Sequence, residues 1–290
     1  GNLEVNTTGG TNRQVTTASN IGFNGNVTIE PSSEVVFGTS YVAGNIVNNG
    51  TFTSTAVLGL ASYTDGTVSA TTNAQTIGGS GVYRNLAAAP TANLTSLTVN
   101  NTNATGVTLS VPLSVSGTLT MTSGIINTTT TNLLTLGTAT AAGILAGTPS
   151  ATNMVRGPFA RTIANANANT NYLLFPVGKT TYAPIWAAPA TTAVSVMKAE
   201  TFDTNTGTQS AAIANMATNR RWELPLVSGT ITNINVRLGD AGVLATSIPV
   251  QAPSASGEYT STFGSVATAV AGVSTQSNTP VLSASYTGYL

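Results

Sequence analysis

Glu30 and Glu34 are the closest pair of acidic residues in the first half of the chain. Paired carboxylates are the groups with which glycosidases protonate a leaving oxygen and activate water or attack the sugar. Here the pair flanks Pro31 at a predicted turn, and only Glu4 and Asp65 accompany it in this half. We therefore interpret the pair as a solvated turn and predict no catalytic residue.

Histidine and cysteine are both absent from the 290 residues. Histidine is the commonest general base and metal ligand, and the cysteine thiolate is a strong nucleophile and zinc ligand. Their absence excludes cysteine nucleophiles, thiolate metal sites and disulfides. We expect no enzymatic activity, no cofactor and no tightly held metal.

The segment Asp203-Thr204-Asn205-Thr206-Gly207 has the D-x-N-x-G form found at the start of some calcium loops. In such loops, oxygen ligands two residues apart converge on the cation, so Asp203 and Asn205 are the candidate ligands. No glutamate follows at the position of the bidentate ligand. A polar β-turn is the preferred interpretation.

Arg220, Arg221 and Trp222 are consecutive and form the candidate ligand surface. Guanidinium and indole groups both offer planar faces that stack on a sugar, and a guanidinium also pairs with a partner's carboxylate. The alternative is that Trp222 lies in the core while the arginines pair with Glu200 or Glu223.

Strands are the elements that must position these groups. Apolar residues alternate with Thr, Asn and Ser along 97–137, which is typical of an extended chain with one apolar face. This segment lies within an uncharged run from Asn85 to Val155. A transmembrane span needs about 18 consecutive apolar residues, and polar residues interrupt this run every few positions. We therefore expect no membrane insertion.

The first part of the chain, residues 1–150, is predicted to form a right-handed parallel β-helix, or β-solenoid. Short strand-like segments recur there, and Ile77, Leu97, Leu119 and Leu136 stand about 17 to 22 residues apart, close to one solenoid coil. A β-sandwich with strands every 8 to 12 residues or so is the alternative. The side chains predicted to point inward are Leu97, Val99, Leu119, Met121, Leu134 and Leu136.

Residues 151–290 differ in composition and pattern, because they contain more charged residues and longer apolar segments. Both tryptophans lie in this part. An antiparallel β-sandwich of about 7 to 8 strands is the architecture that such a segment favours. The sequence thus predicts an all-β protein in which a β-solenoid is followed by a β-sandwich.

Four strings within residues 115–240 resemble one protein family. They are SGIINTTTTNLLTLG (123–137), MVRGPFART (154–162), YLLFPVGKTTYAPIWA (172–187) and RRWEL (220–224). Together they are similar to the large secreted β-strand-repeat surface proteins of Bacteroidota that use type IX secretion. The resemblance implies an extracellular or cell-surface location. The start at Gly1 without a methionine predicts a processed product.

The charge balance limits the function classes. Nine Lys and Arg residues offset nine Asp and Glu residues, and only 6% of the chain is charged. A neutral surface gives no steering toward nucleic acid, and a net charge near zero favours self-association. The sequence predicts a secreted structural protein, the subunit of an extracellular filament, sheath or surface layer that forms a homopolymer. The alternative is a cell-surface adhesin or carbohydrate-binding stalk that contacts surface glycans.

Terminal strands are predicted to join the subunits, because unpaired strand edges add to a neighbouring sheet. The predicted subunit contacts alternate with polar neighbours. They are Leu3 and Val5 near the start and Leu282, Ala284, Tyr286 and Leu290 near the end. The alternative is that each tail pairs within its own chain.

Overall fold

The computed structural model describes residues 1–6, 14–17, 20–85, 93–213, 215–216, 219–264, 268–270 and 272–290. Within these ranges the regular elements are β-strands and one 3-10 turn at Ser283–Ser285, with no α-helix. The all-β prediction is confirmed. The chain divides into two compact units, Gly1–Thr138 with Gly143–Val155, and Ala139–Ala142 with Arg156–Leu290.

The first unit is built from short strands. They are β1 (Leu3–Val5), β2 (Gln14–Thr17), β3 (Ile21–Phe23), β4 (Val27–Ile29), β5 (Glu34–Phe37), β6 (Ser40–Val42), β7 (Ile46–Asn48), β8 (Thr51–Ser54), β9 (Val57–Leu60), β10 (Ser62–Thr64), β11 (Thr67–Ser69), β12 (Gln75–Gly78), β13 (Val82–Arg84), β14 (Ser96–Asn100), β15 (Val107–Leu109), β16 (Leu113–Val115), β17 (Thr118–Ser123), β18 (Ile126–Asn127), β19 (Leu134–Leu136) and β20 (Ile144–Gly147), followed by β21 (Val155–Arg156) at the boundary.

Three parallel sheets arise because consecutive strands enter different sheets in turn. Strands β1, β4, β7, β12, β15 and β18 pair in that order, as do β2, β5, β8 and β13, and likewise β3, β6, β9, β14, β17 and β20. Later in this unit, β16 and β19 also pair with each other in parallel. An antiparallel hairpin, β10 with β11, lies between β9 and β12.

The core of the first unit consists of the apolar residues of alternating strands. Leu97 pairs with Leu119 and Val99 with Met121 across β14 and β17, and Leu113 pairs with Leu134 across β16 and β19. All six side chains predicted to point inward are at most 1% exposed, which confirms this part of the prediction. An aromatic column of Phe23, Phe37, Phe52 and Tyr83 packs with ring centroids 5.2 to 5.5 Å apart.

The spacing of Ile77, Leu97, Leu119 and Leu136 does not mark equivalent positions in successive coils, because their strands belong to different sheets. Leu97 and Leu119 are direct neighbours, but Ile77 pairs with Leu109 and Leu136 pairs with Val115. The hairpin of β10 and β11 adds length to one repeat. Residues joined by hydrogen bonds along the first sheet are 19 positions apart at Asn45 and Asn26 but 31 apart at Thr76 and Asn45.

A repeated Gly-Asn corner precedes three strands of the first sheet. The Oδ1 atom of Asn2 accepts from the Asn26 amide at 2.9 Å, and that of Asn26 accepts from the Asn45 amide at 2.8 Å. A Cβ atom on Gly44 would lie 2.5 Å from the Asn26 Oδ1 atom and from the Gly25 carbonyl carbon. Glycine is therefore required for the corners to stack this closely.

The second unit contains the remaining strands. They are β22 (Phe159–Ile163), β23 (Leu173–Phe175), β24 (Val177–Gly178), β25 (Ile185–Thr191), β26 (Ser195–Phe202), β27 (Thr208–Gln209), β28 (Arg221–Glu223), β29 (Leu226–Ser228), β30 (Ile231–Gly239), β31 (Val250–Gln251), β32 (Glu258–Tyr259), β33 (Ser261–Thr262), β34 (Thr268–Val270), β35 (Ser274–Gln276) and β36 (Val281–Leu282).

Two antiparallel groups of strands organise the second unit. Strand β26 pairs with β22, β28 and β29. Strand β30 pairs with β25, β35 and β36, and the group continues to β23 beyond β25 and to β34 beyond β35. Phe159 of the first group contacts Phe175 of the second edge-on at 6.2 Å. Both rings are fully buried, so the two groups share an apolar core.

Candidate functional site

Arg220, Arg221 and Trp222 lie at the start of β28, where Thr201 pairs with Trp222 and Phe202 with Arg221. Side chains alternate across a strand, and Trp222 is the one that faces the core, with 4% of its surface exposed. Its Nε1 atom donates a hydrogen bond to the carbonyl oxygen of Ala183 at 3.0 Å. The interpretation of Trp222 as a core residue is confirmed.

Arg220 lies between two carboxylates. Its Nη1 atom is 2.7 Å from Oδ1 of Asp203, and its Nε atom is 2.9 Å from Oδ2 of Asp240. Its Nη2 atom also donates to the hydroxyl of Thr181 at 2.6 Å. The alternative prediction that Arg220 pairs with Glu200 or Glu223 is wrong. Two aspartates around one guanidinium leave this cluster with one net negative charge.

Glu200 forms its ion pair with Lys179 instead, whose Nζ atom lies 2.7 Å from Glu200 Oε1. Arg221 is the arginine that pairs with Glu223, at 3.1 Å, so this part of the alternative is confirmed. Its guanidinium also stacks over the ring of Phe202, 3.9 Å from the centroid. A ligand stacking on Arg221 would have to displace an intramolecular ring.

Asp203 follows β26, and its carboxylate is held by several donors. The hydroxyl and the amide of Thr180 donate to Oδ2 at 2.6 and 3.1 Å. Burial by itself raises the pKa of Asp203, but the Thr180 hydrogen bonds and the nearby Arg220 charge outweigh it, so the pKa lies below its ordinary value. Asp203 is therefore an ionised partner of Arg220.

Asn205, the second candidate calcium ligand, uses its Oδ1 atom within a turn. That oxygen accepts from the Gly207 amide at 2.9 Å and from the Tyr259 hydroxyl at 3.2 Å. This is the hydrogen bonding of a polar turn. In the described part of the chain, no group of three acidic, histidine or cysteine side chains is arranged to hold a metal ion.

Glu34 belongs to a pairing across strands of the first unit. Its carboxylate forms an ion pair with Arg84 and accepts from the Thr53 hydroxyl at 2.9 Å. The three residues lie on the neighbouring strands β5, β8 and β13. Glu30 follows β4, and its backbone amide donates to the Val5 carbonyl oxygen. These contacts give Glu34 a structural role.

The two predicted contact residues at the start of the chain pair within the first unit. Leu3 lies opposite Val27 and Val5 opposite Ile29 in the parallel pair of β1 and β4. Val5 is buried, and Leu3 is partly exposed. The contact of these residues with a second copy stays a prediction.

The predicted contact residues at the end of the chain are divided between surface and core. Leu282 and Ala284 are exposed, but the Tyr286 hydroxyl donates to the Leu224 carbonyl oxygen at 2.8 Å. Leu290 and Trp222 exchange two backbone hydrogen bonds of 2.8 Å. The 3-10 turn at Ser283–Ser285 interrupts the alternation that predicted one extended tail.

Exposed apolar side chains on strand edges are a feature that the sequence interpretation identified only at Leu282. Among the strands with a single described neighbour, β13, β20, β29, β34 and β36 each carry at least one. The residues are Val82, Ile144, Leu226, Val227, Val270 and Leu282. Apart from Arg84, which pairs with Glu34, these strands contain no charged residue. Adjacent apolar residues before a turn glycine, as in Leu226-Val227-Ser228-Gly229, are the signal that could have indicated such an edge.

Arg220, Trp222 and Leu290 also line one cleft in the second unit, with a volume of about 670 Å³. The structure therefore brings together two predicted ligand-surface residues and one predicted subunit-contact residue. Asp240, which the sequence interpretation missed, lies beside them through its ion pair with Arg220. No local motif marks Asp240, because it follows β30, which is distant in sequence from Arg220 and belongs to a different strand group from β28.

Among the described residues, no helix has the length and apolar character needed to cross a bilayer. Comparisons of the chain with protein-family models, with curated proteins and with solved structures give no match.

Proposed function

We propose that this protein is a subunit of an extracellular filament, sheath or surface layer, and that its copies associate through β-strand contacts. The observation that carries the proposal is the set of exposed apolar side chains on β13, β20, β29, β34 and β36. Soluble proteins usually protect such edges with charged residues, because unpaired backbone groups on an edge accept another strand. These edges lack that protection almost completely.

The low charge of the whole chain supports the same proposal. With nine positive and nine negative residues and 6% charged residues overall, two copies meet little electrostatic repulsion. In the described part of the chain, five ion pairs engage nine of the 18 charged residues. Contacts between copies then depend on backbone hydrogen bonds and apolar burial.

The architecture that we propose for the subunit is a β-solenoid followed by an antiparallel β-sandwich. Three parallel sheets entered in turn by consecutive strands, with stacked pairs such as Leu97 and Leu119, support the solenoid. Two antiparallel strand groups with a shared core support the sandwich. The resemblance to secreted surface proteins of Bacteroidota is the basis for the extracellular location.

The alternative function, an adhesin or carbohydrate-binding stalk, has less support. A sugar platform needs an accessible aromatic face and free hydrogen-bond donors. Trp222 is buried and its indole donates to Ala183, while Arg221 covers Phe202 and pairs with Glu223. These residues are committed to intramolecular contacts.

Electron microscopy of the purified chain tests the proposal. We expect ordered filaments or layers whose amount increases with protein concentration. Val227→Lys and Leu282→Lys should reduce assembly, because each places a charge on an exposed edge without entering the core. Val47→Lys is the matched control, since Val47 is exposed on β7, which has a neighbour on both sides.

Equal assembly of Val227→Lys, Leu282→Lys and Val47→Lys would reject strand edges as the contact. An exclusively monomeric wild-type chain would reject self-association altogether.

A further inference from the structure

The cleft of the second unit has the size of a small-molecule site. Its volume of about 670 Å³ lies within the range of roughly 300 to 1,000 Å³ that is common for ligand pockets. Trp222, Leu238, Val243 and Leu290 line it and are all at least 96% buried as residues, so they form a fixed floor. Trp222 lies on β28 and Leu238 on β30, and two backbone hydrogen bonds join Leu290 to Trp222.

The remaining walls are also mainly apolar. Ile213, Ile248 and Val250 contribute aliphatic surface, and Leu244, whose side chain is 58% exposed, lies at the rim. Two of the polar groups beside them are already engaged within the protein. Thr275 donates to the Ser247 carbonyl oxygen at 2.6 Å, and the Ser247 hydroxyl accepts from the Leu244 amide at 2.9 Å.

The charge beside the cleft has a definite sign. Arg220 lines it, and the carboxylates of Asp203 and Asp240 both bind the Arg220 guanidinium. One positive and two negative groups give a net charge of one negative unit. Because two carboxylates already neutralise its guanidinium, Arg220 offers an anionic ligand no net attraction.

We propose that this cleft binds a small, uncharged, predominantly apolar molecule. This inference is independent of the proposed self-association, because the cleft residues other than Leu290 are not among the predicted subunit contacts. Apolar burial against the floor supplies the affinity, and the Asp203, Arg220 and Asp240 cluster excludes anions.

Titration with two matched fluorescent probes tests the proposal. N-Phenyl-1-naphthylamine is neutral, and 8-anilinonaphthalene-1-sulfonate has the same aromatic framework with one added negative charge. We expect the neutral probe to bind saturably with one molecule per chain. The sulfonate should bind roughly tenfold more weakly or worse, because a single charge beside the cluster is enough for that difference.

Three variants locate the bound probe. Leu244→Asp makes the rim polar and more negative, and Ala212→Trp fills space from an exposed lining position, so each should weaken the neutral probe about tenfold. Val273→Asp is the matched control, because Val273 is as exposed as Leu244 but does not line the cleft. Circular dichroism checks that all three variants are folded.

Two results would overturn the proposal. One is equal affinity of the neutral probe for wild type, Leu244→Asp and Ala212→Trp. The other is tighter binding of the sulfonate than of the neutral probe, which would show that exposed apolar surface binds dye without regard to the cluster. If the first variant fails to fold, Ala212→Trp and the probe pair still decide the question.

Discussion

In the first unit, the polar side chains that recur are the amides of the Gly-Asn corners, whereas in the second unit they are charged groups gathered near Arg220. The described part of the first unit has one ion pair, Glu34 with Arg84. The second unit has pairs at Lys179, at Arg220 and at Arg221. The same chain therefore satisfies its polar groups by two different means.

The difference follows from how each unit is built. A corner amide that accepts from the next corner can be repeated once per parallel layer, because each layer presents the same geometry. It adds no charge and does not titrate. The antiparallel strands of the second unit bring distant segments together once, so a non-repeating cluster such as Asp203, Arg220 and Asp240 can form there. We expect the stability of the first unit to depend on packing, and the stability of the second unit to depend on pH as well.

The largest effect is expected for Leu119→Asp in the first unit. Leu119 is fully buried and pairs with Leu97 and Leu145. Loss of a buried leucine costs about 2 to 5 kcal/mol, and a buried carboxylate adds several more, which approaches the whole stability of a domain. Limited proteolysis should cleave this unit rapidly. Thr122→Asp, at an exposed position on the same strand, is the control and should resist cleavage like the wild type.

Gly44→Ala tests the corner geometry and should have the next largest effect. The added Cβ atom would meet backbone atoms of Gly25, which cannot rotate away. Overpacking of this kind costs about 1 to 3 kcal/mol, measured as the free energy of unfolding in urea. A wild-type midpoint for Gly44→Ala would show that the corners are not closely stacked.

Asn26→Ala removes only the hydrogen bond between corners and should cost about 1 kcal/mol, because the corner is exposed and water replaces part of the bond. Asn26→Asp keeps an acceptor oxygen facing the Asn45 amide and should be closer to wild type. Equal destabilisation by both variants would assign the effect to backbone propensity instead of the amide ladder.

The smallest change in stability is expected for Asp203→Asn, and this change should depend on pH. The folded-state pKa of Asp203 is lowered, so its ion pair contributes stability above the unfolded pKa of about 3.9, and this contribution is lost as pH falls through the folded value. Its side chain is 30% exposed, so we expect less than about 1 kcal/mol at pH 7. Both tryptophans lie in the second unit, so their fluorescence follows it alone.

The destabilisation caused by Asp203→Asn should therefore shrink between pH 7 and pH 2.5. Asp65→Asn, at an exposed position of the first unit, is the control and should change the stability of the second unit at neither pH. A constant difference between wild type and Asp203→Asn across this pH range would contradict the assigned role of the charge.

Alternation was sufficient to predict strands and the inward side of several of them. Leu97, Val99, Leu119 and Met121 are buried because a period of two allows only one apolar face. Their assignment to sheets could not be predicted from spacing, since the hairpin of β10 and β11 lengthens one repeat. The strings GNLEV, GNVTI and GNIVN, which begin at Gly1, Gly25 and Gly44, were the better marker of the repeat.

The candidate site was predictable only in part. Arg221 and Glu223 are two positions apart on one strand, so they share a face and their pairing follows from local sequence. The pairing of Arg220 with Asp240 depends on β28 and β30 being placed near each other, which no local pattern encodes. Exposure of Val227 and Leu282 likewise depends on which strands end a sheet.

Sedimentation velocity of the wild-type chain, measured over a hundredfold range of concentration at about 50 mM and about 1 M NaCl, tests self-association most directly. Contacts made by uncharged edges are not screened by salt, and apolar burial is not weakened by it. We predict that the mean sedimentation coefficient rises with concentration to the same or a greater extent at high salt. A single monomer peak at every concentration, or assemblies that dissociate at high salt, would contradict it.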